Sequence, residues 1–355
     1  MESIINKILD DATWIEYLEF KKQQSSMSKF EINELEEYIN NKKYKNIISE
    51  ISTGIYEFSI PEKHLINKLN KAKKRVVYSF EENGNMVLKL ITYLFSKKYD
   101  EKYSDNCYSF RKSKCVKDAI RGITRYQNIN ELYGYKVDIE NYFNSVDVEL
   151  LLAKLENFIC DDAQLFVFLK NILTNHRAKF NNQIIDERKG MIAGAPISSF
   201  LANIFLQDVD EYFKKKNVLY ARYSDDIIFF CTKDQLEEYV AALNKLLNVN
   251  KLTINQDKIQ YINPHDKWEF LGFSYQDGII DISDIAQKKI KGKIRRQCRK
   301  LRRWMLQKDA TSERAIAAVI RNFNKKFYMV ENKNKLTWSL WYFPIINTTE
   351  RNAQR

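Results

Sequence analysis

The sequence predicts an α+β fold built round a ferredoxin-like, split βαβ sheet, and three observations lead there. The middle of the chain alternates strand, helix, strand–turn–strand, helix, strand. The strand–turn–strand is Val218-Leu219-Tyr220, then Arg222-Tyr223-Ser224-Asp225-Asp226, then an apolar run from Ile227 to Cys231, which puts an acidic pair at a hairpin tip. From Asp284 onward the pattern is helical and strongly basic.

Taken in order, residues 1–50 read as helices, because Ile5, Ile8, Leu9 and later Leu35, Tyr38 and Ile39 recur at helical spacing. A polar, Ser-rich patch over 21–29 reads as a loop. Ser59-Ile60-Pro61 breaks the pattern and opens a basic stretch that runs to Arg75. Residues 75–80 read as a strand, 81–85 as a turn, 86–99 and 116–126 as helices. Residues 133–139 form an apolar strand that ends in the acidic, aromatic turn Glu140-Asn141-Tyr142-Phe143. Helices are expected over 147–158 and 162–175, and a hairpin over 178–185. The small-residue loop Ala193-Gly194-Ala195-Pro196 then starts a helix that reaches about Lys215. Beyond the acidic hairpin come a helix over 234–247, a strand near Thr253, the stretch 258–262, and a hairpin over 268–275 followed by the turn Gln276-Asp277-Gly278.

Composition narrows the function. At 355 residues the chain can bury a large core, and 45% hydrophobic with 29% charged residues is the balance of a soluble globular protein. Only 9 glycines and 4 prolines argue against a loop-rich chain. No apolar run approaches the roughly 20 residues of a membrane span, and the first residues lack the order of a secretion signal. The 5 cysteines are widely spaced without a CxxC, and only 3 histidines are present, so zinc is not indicated and a reducing, cytoplasmic setting is expected. Net charge is +12, yet residues 288–303 alone hold ten basic residues and no acidic one. Removing those ten leaves 48 basic against 46 acidic residues, so nearly all the excess charge is one block. Ten like charges so close repel unless something neutralises them, and a phosphate backbone does so through counterion release.

Asp138 lies inside an apolar strand, between Val137 and Ile139, where a charge is costly unless paired or bound to a metal. In a split βαβ sheet that strand and the Asp225-Asp226 hairpin are neighbours, so three carboxylates converge on one sheet edge. Asp-Asp is also ordinary turn chemistry, and the pair alone does not decide. With Asp138 added, two divalent cations about 4 Å apart could bridge the cluster and support phosphoryl transfer without any histidine or activated serine.

Tyr223-Ser224-Asp225-Asp226 resembles the YxDD box of reverse transcriptases. Val137-Asp138-Ile139-Glu140-Asn141-Tyr142-Phe143-Asn144-Ser145-Val146 resembles their first catalytic motif, and Gly190 to Asp210, with Gly194, Pro196, Ser198 and Leu201-Ala202-Asn203-Ile204, their nucleotide-supporting helix motif. Lys258 falls in a stretch similar to the lysine-bearing motif, Phe270-Leu271-Gly272 resembles the primer grip, and Arg75 and Tyr108-Ser109-Phe110-Arg111 resemble the basic fingers residues of group II intron-type enzymes. The ordered match runs from about residue 35 to 345.

The resemblance implies a right-hand polymerase: a helical amino-terminal extension over 1–60, fingers over 61–136, a palm over 137–283 with an insertion at about 147–190, and a basic helical thumb over 284–355. It implies RNA-directed DNA synthesis with Asp138, Asp225 and Asp226 as the catalytic acids and two Mg²⁺ ions held by Asp138, Ile139, Asp225 and Asp226. Arg75 and Arg111 would reach the triphosphate. Phe143, or else Tyr142, would be the gate against a ribose 2′-hydroxyl, Gly194 would lie in the nucleotide site, and Lys258 would protonate the pyrophosphate. Lys291, Arg295, Arg296, Arg299, Lys300, Arg302 and Arg303 would hold nucleic acid. The implied partners are an RNA template or dedicated non-coding RNA, a DNA or protein primer and dNTPs, with no membrane. Where the family has Pro-Gln-Gly this chain has Ile192-Ala193-Gly194, so the usual glutamine support is missing. Ser198-Ser199 and the lack of a downstream Val-Thr-Gly set it apart from diversity-generating and retron enzymes. The chain looks most like unknown-group, abortive-infection and defence-associated bacterial enzymes, which implies a role against phage. A protein-primed or untemplated polymerase and a catalytically silent RNA-binding scaffold stay open as alternatives.

Overall fold

The computed structural model describes residues 2–24, 27, 29–52, 58–67, 74–308, 311–327, 341–342 and 344–347. Four helices open the chain: α1 (Ile4–Ile8), α2 (Asp11–Gln23), α3 (Lys29–Asn40) and α4 (Lys45–Ser52). Ile4, Ile8, Leu18 and Leu35 are buried there with Trp14, Tyr17 and Tyr38, and Trp14 stacks on Tyr44, just before α4, at 4.6 Å between ring centres.

Next come the antiparallel strands β1 (Glu62–Asn67) and β2 (Lys74–Ser79), then α5 (Glu82–Tyr99) and α6 (Val116–Thr124). β1 lies in the basic stretch that the sequence left unassigned. Its side chains are nearly all exposed, so it carries no apolar alternation to betray it. The turn expected over 81–85 is instead the first turn of α5. Asn85 N donates to Glu81 O at 2.9 Å, and Glu81, Glu82 and Asn83 face outward while Gly84 is buried.

The centre is built from β3 (Tyr133–Asp138), α7 (Tyr142–Ser145), α8 (Val148–Phe158), α9 (Ala163–Thr174), β4 (Arg177–Phe180), β5 (Gln183–Asp186), α10 (Ser198–Phe205), α11 (Gln207–Lys215), β6 (Leu219–Tyr223), β7 (Asp226–Cys231), α12 (Lys233–Val249) and β8 (Gln260–Ile262). Asp147 and Asp162 cap α8 and α9 through Leu150 N and Leu165 N. Asp162 also accepts from Ile4 N at 2.8 Å and pairs with Lys98 at 3.2 Å, so one buried acid joins α1 and α5 to α9.

A four-stranded antiparallel sheet runs in the order β6-β7-β3-β8. That is the order of the split βαβ plan. Tyr135, Val137, Ile227 and Phe229 join the larger core with α10, α11 and α12, while Ala221, Ile228 and Phe230 join a second core with α6. Burial on both faces explains why β7 is apolar throughout instead of alternating. A second sheet, β2-β1-β4-β5, brings β4 and β5 to the hairpin of β1 and β2, with β1 and β4 parallel.

The remaining strands are β9 (Trp268–Phe270), β10 (Phe273–Gln276) and β11 (Ile279–Ile282), a meander that covers the second core. Its two-residue turns, Leu271-Gly272 and Asp277-Gly278, have φ values of 51° and 90°, and 47° and 84°, the pattern that suits a twisted hairpin. Helices α13 (Asp284–Lys308) and α14 (Ser312–Phe327) follow; residues 328–340 and 348–355 of the expected thumb lie outside the described residues. Among the described residues all five cysteines are free thiols, and no helix is long and apolar enough to cross a membrane.

Candidate active site

Two strand ends make the site. Asp138 ends β3 directly opposite Asp226, which begins β7, and the two-residue turn Ser224-Asp225 joins β7 to β6. Asp138 is buried and the other two carboxylates are half-buried. Ile139 N donates to Asp225 O at 3.1 Å, which fastens the turn to the strand that carries Asp138. Ile139 itself has an apolar, buried side chain, so only its main-chain carbonyl could serve a cation.

Crowding three carboxylates in a partly dry site raises the cost of charging them. Burial first, then the charges of Asp225 and Asp138, pushes the Asp226 carboxyl up to about 6. Burial and Asp138 raise Asp225 as well. Two lysines offset this in part. Lys258 Nζ stands 2.7 Å from Asp138 Oδ1 with its side chain 55% exposed, and the half-buried Lys136 lies near Asp226 while donating to Glu269 O at 2.6 Å. Among the described residues no three acid, histidine or cysteine side chains form a closed metal cage. The donor set does fit Mg²⁺, which binds through one or two carboxylates and takes its other ligands from water and substrate phosphates.

Residues 60–275, well over half the chain, match the family model described as reverse transcriptase (RNA-dependent DNA polymerase). The chain belongs to the reverse transcriptase family. Among curated relatives it is 28% identical over 143 residues to the retron Ec83 reverse transcriptase of Escherichia coli, covering 37% of this chain and 44% of the relative. It is 24% identical over 211 residues to a COX1/OXI3 intron 2 protein of Saccharomyces cerevisiae (57% and 23%), and 26% identical over 205 residues to protein YkfC of Escherichia coli (46% and 53%). The chain thus spans between about a quarter and a half of the relatives it matches. Solved telomerases from Candida albicans and Candida tropicalis overlay on 69% of it, and on 51% and 60% of their own chains, with TM-scores of 0.49 at 13% and 15% identity.

The other residues expected of a reverse transcriptase site are placed unevenly. Tyr142 is core: it is buried and its hydroxyl donates to Ala202 O at 2.6 Å. Phe143 packs edge-on against it and stays half-buried, so of the two it is the one with a face to spare. Gly190 and Gly194 have φ values of 54° and 101°, and a Cβ would fall 2.3 Å from Phe143 O at the first and 2.8 Å from Tyr78 O at the second. Both glycines are therefore required for the loop to lie against α7 and β2. Arg75 is exposed on β2, paired across the hairpin with Ile66.

Arg111 corrects the expectation placed on it. Its side chain is 4% exposed, and it donates to Ser104 O, Cys107 O and Asp100 O while pairing with the Asp100 carboxylate. The guanidinium is committed to main-chain carbonyls and is not offered to a triphosphate. Lys291, Arg295, Arg296, Arg299, Lys300, Arg302 and Arg303 are all exposed along α13. Along the same helix Ile290, Ile294, Leu301 and Met305 are half-covered and Cys298 is exposed. Among the described residues of α13 only Ala286, in its first turn, is buried, and the helix packs against α14.

Sequence reasoning missed what lies under the turn. Arg222 is wholly buried and paired with Asp210. Its signal was an arginine in the apolar strand next to the acidic pair, where a buried partner is obligatory.

Proposed function

We propose that the protein is an RNA-directed DNA polymerase, a nucleotidyltransferase that extends a primer with dNTPs on an RNA template. The observation that carries this is the pairing of Asp138 with Asp226, beside the Ser224-Asp225 turn, where the two inner strands of the central sheet meet. Asp138, Asp225, Asp226 and the Ile139 carbonyl are the groups that would hold two Mg²⁺ ions. When bound, these supply Lewis-acid activation of the primer hydroxyl and neutralise charge on the phosphates. The chain's own residues supply position. Lys258 stands beside Asp138 and can turn to the departing pyrophosphate as a proton donor. Phe143 bounds the sugar, Arg75 reaches for phosphate from β2, and the basic face of α13 holds the duplex.

Ala193 favours a second outcome. It is buried, with its carbonyl tied to Tyr78 N at 2.7 Å, and it offers no side chain to support a templating pair. Templated, protein-primed and untemplated synthesis are separated by sequencing the products. A role in defence against phage with a dedicated non-coding RNA extends the sequence resemblance, and sequencing the copurifying nucleic acid checks it. The central test is primer extension with Mg²⁺ and dNTPs. Asp138→Ala and Asp225→Ala are expected to abolish incorporation while leaving the fold intact. Wild-type activity in either variant would defeat the assignment.

A further inference from the structure

Ser224 and Asp225 form the turn that aims the acidic pair, and Ser224 sits at φ 61°, a left-handed conformation that side-chain-bearing residues take at a cost. Something must hold it there. The residue two before it is Arg222, 0% exposed, and its Nη1 donates to Ser224 O at 3.3 Å. The same guanidinium grips Asp210 at both oxygens, Nε to Oδ1 at 2.7 Å and Nη2 to Oδ2 at 2.5 Å, and Nη2 also reaches Asn203 O at 3.3 Å. Asp210 is buried on α11 and takes a further donor from Tyr220 at 2.8 Å. The planar fork is thus fixed on the helix side by two bonds before it touches the turn.

The network continues outward. Asn203, on α10, exchanges two bonds of 2.6 Å with Ser109. The main chain of Arg222 bridges the 106–108 segment, accepting from Tyr108 N and donating to Asn106 O, both at 2.9 Å. That segment is in turn held by Arg111 through Cys107 O. Two buried arginines therefore connect the segment ahead of α6 to the carbonyl of the catalytic turn.

Resting on the polymerase reading, we propose that Arg222, braced by Asp210, is a positioning residue that sets the Ser224-Asp225 turn and so the placing of the catalytic carboxylates. It touches neither substrate nor cation. Lysine keeps the charge but cannot serve Asp210, Asn203 and Ser224 at once, so Arg222→Lys should loosen the turn. The expected result is a fall in kcat of about 10- to 100-fold at unchanged KM for dNTP. Mn²⁺, titrated by electron paramagnetic resonance without nucleotide, should bind about tenfold more weakly. Ser224→Gly, which removes the cost of the left-handed turn, should restore part of both in the Arg222→Lys background.

Arg222→Lys leaves Asp210 less completely paired, which puts its folding at risk, so the neutral pair Arg222→Gln/Asp210→Asn is made alongside it. This variant buries no lone charge and should melt near wild type while no longer holding Ser224. If either variant is folded and keeps wild-type kcat and Mn²⁺ affinity, the proposal is overturned. It is also overturned if kcat falls only in proportion to the unfolded fraction. The Mn²⁺ titration reads the turn even if no nucleotide is incorporated by the wild type, so failure of the polymerase reading is told apart from failure of this one.

Discussion

At Asp226 burial and like charge act together, and both favour the protonated carboxyl. A carboxyl whose folded pKa is raised to about 6 binds its proton more tightly in the fold than in the unfolded chain. Stability is therefore lost as pH climbs from about 4 to about 6 and stays low above that. In cation-free buffer Asp226→Asn should stabilise the protein at pH 7.5, by up to about 3 kcal/mol, and change little at pH 4. Urea titrations at the two pH values measure it; equal effects at both would mean that the cluster does not repel. Phe143 gives a second prediction at this scale. If its half-buried ring is the sugar gate, Phe143→Ala should raise ribonucleotide incorporation relative to dNTP, read as a ratio of rates. An unchanged ratio would remove Phe143 from that role. Asp138 was legible because a charge in an apolar strand demands a reason. Arg111 was not, because a sequence does not say that three carbonyls will gather round a guanidinium.

Elements were legible where burial imposes a period and obscure where it does not. The double-sided burial of β7 left a continuous apolar run, and the capping aspartates of α8 and α9 marked their starts. β1 was hidden because it pairs through its backbone while its side chains stay wet. The loop from Gly190 to Ser198 shows the same limit: its small residues signalled a turn, but only packing reveals why. Gly190→Ala combines a left-handed φ with a Cβ driven into Phe143 O, and the obstacle is backbone that cannot swing aside. That variant should lose about 2 kcal/mol or more, read by chemical denaturation, and should also weaken dNTP binding by shifting Phe143. If Gly190→Ala is as stable as wild type, the loop does not lie against α7 as described.

For the molecule as a whole, charge is distributed unlike mass. The body is close to neutral while α13 carries ten basic residues in 288–303, and among its described residues Ala286 alone is buried. Such a helix contributes little to the core, so its charges can be removed without unfolding the rest. Its arginines are exposed, and phosphate oxygens match their planar forks. Neutralising Arg295, Arg296, Arg299 and Arg303 together should weaken binding of a template–primer duplex and flatten its salt dependence. On a B-form duplex each phosphate that is no longer neutralised takes about 0.9 from the slope of log K against log salt, so four take between about 3 and 4. The Asp138 and Asp225 variants should keep the wild-type slope, because a carboxylate cluster releases no counterions from the duplex. Fluorescence anisotropy at several salt concentrations distinguishes the two sets. If the quadruple variant retains the wild-type slope, the duplex does not run along α13, and the basic block serves a partner other than nucleic acid.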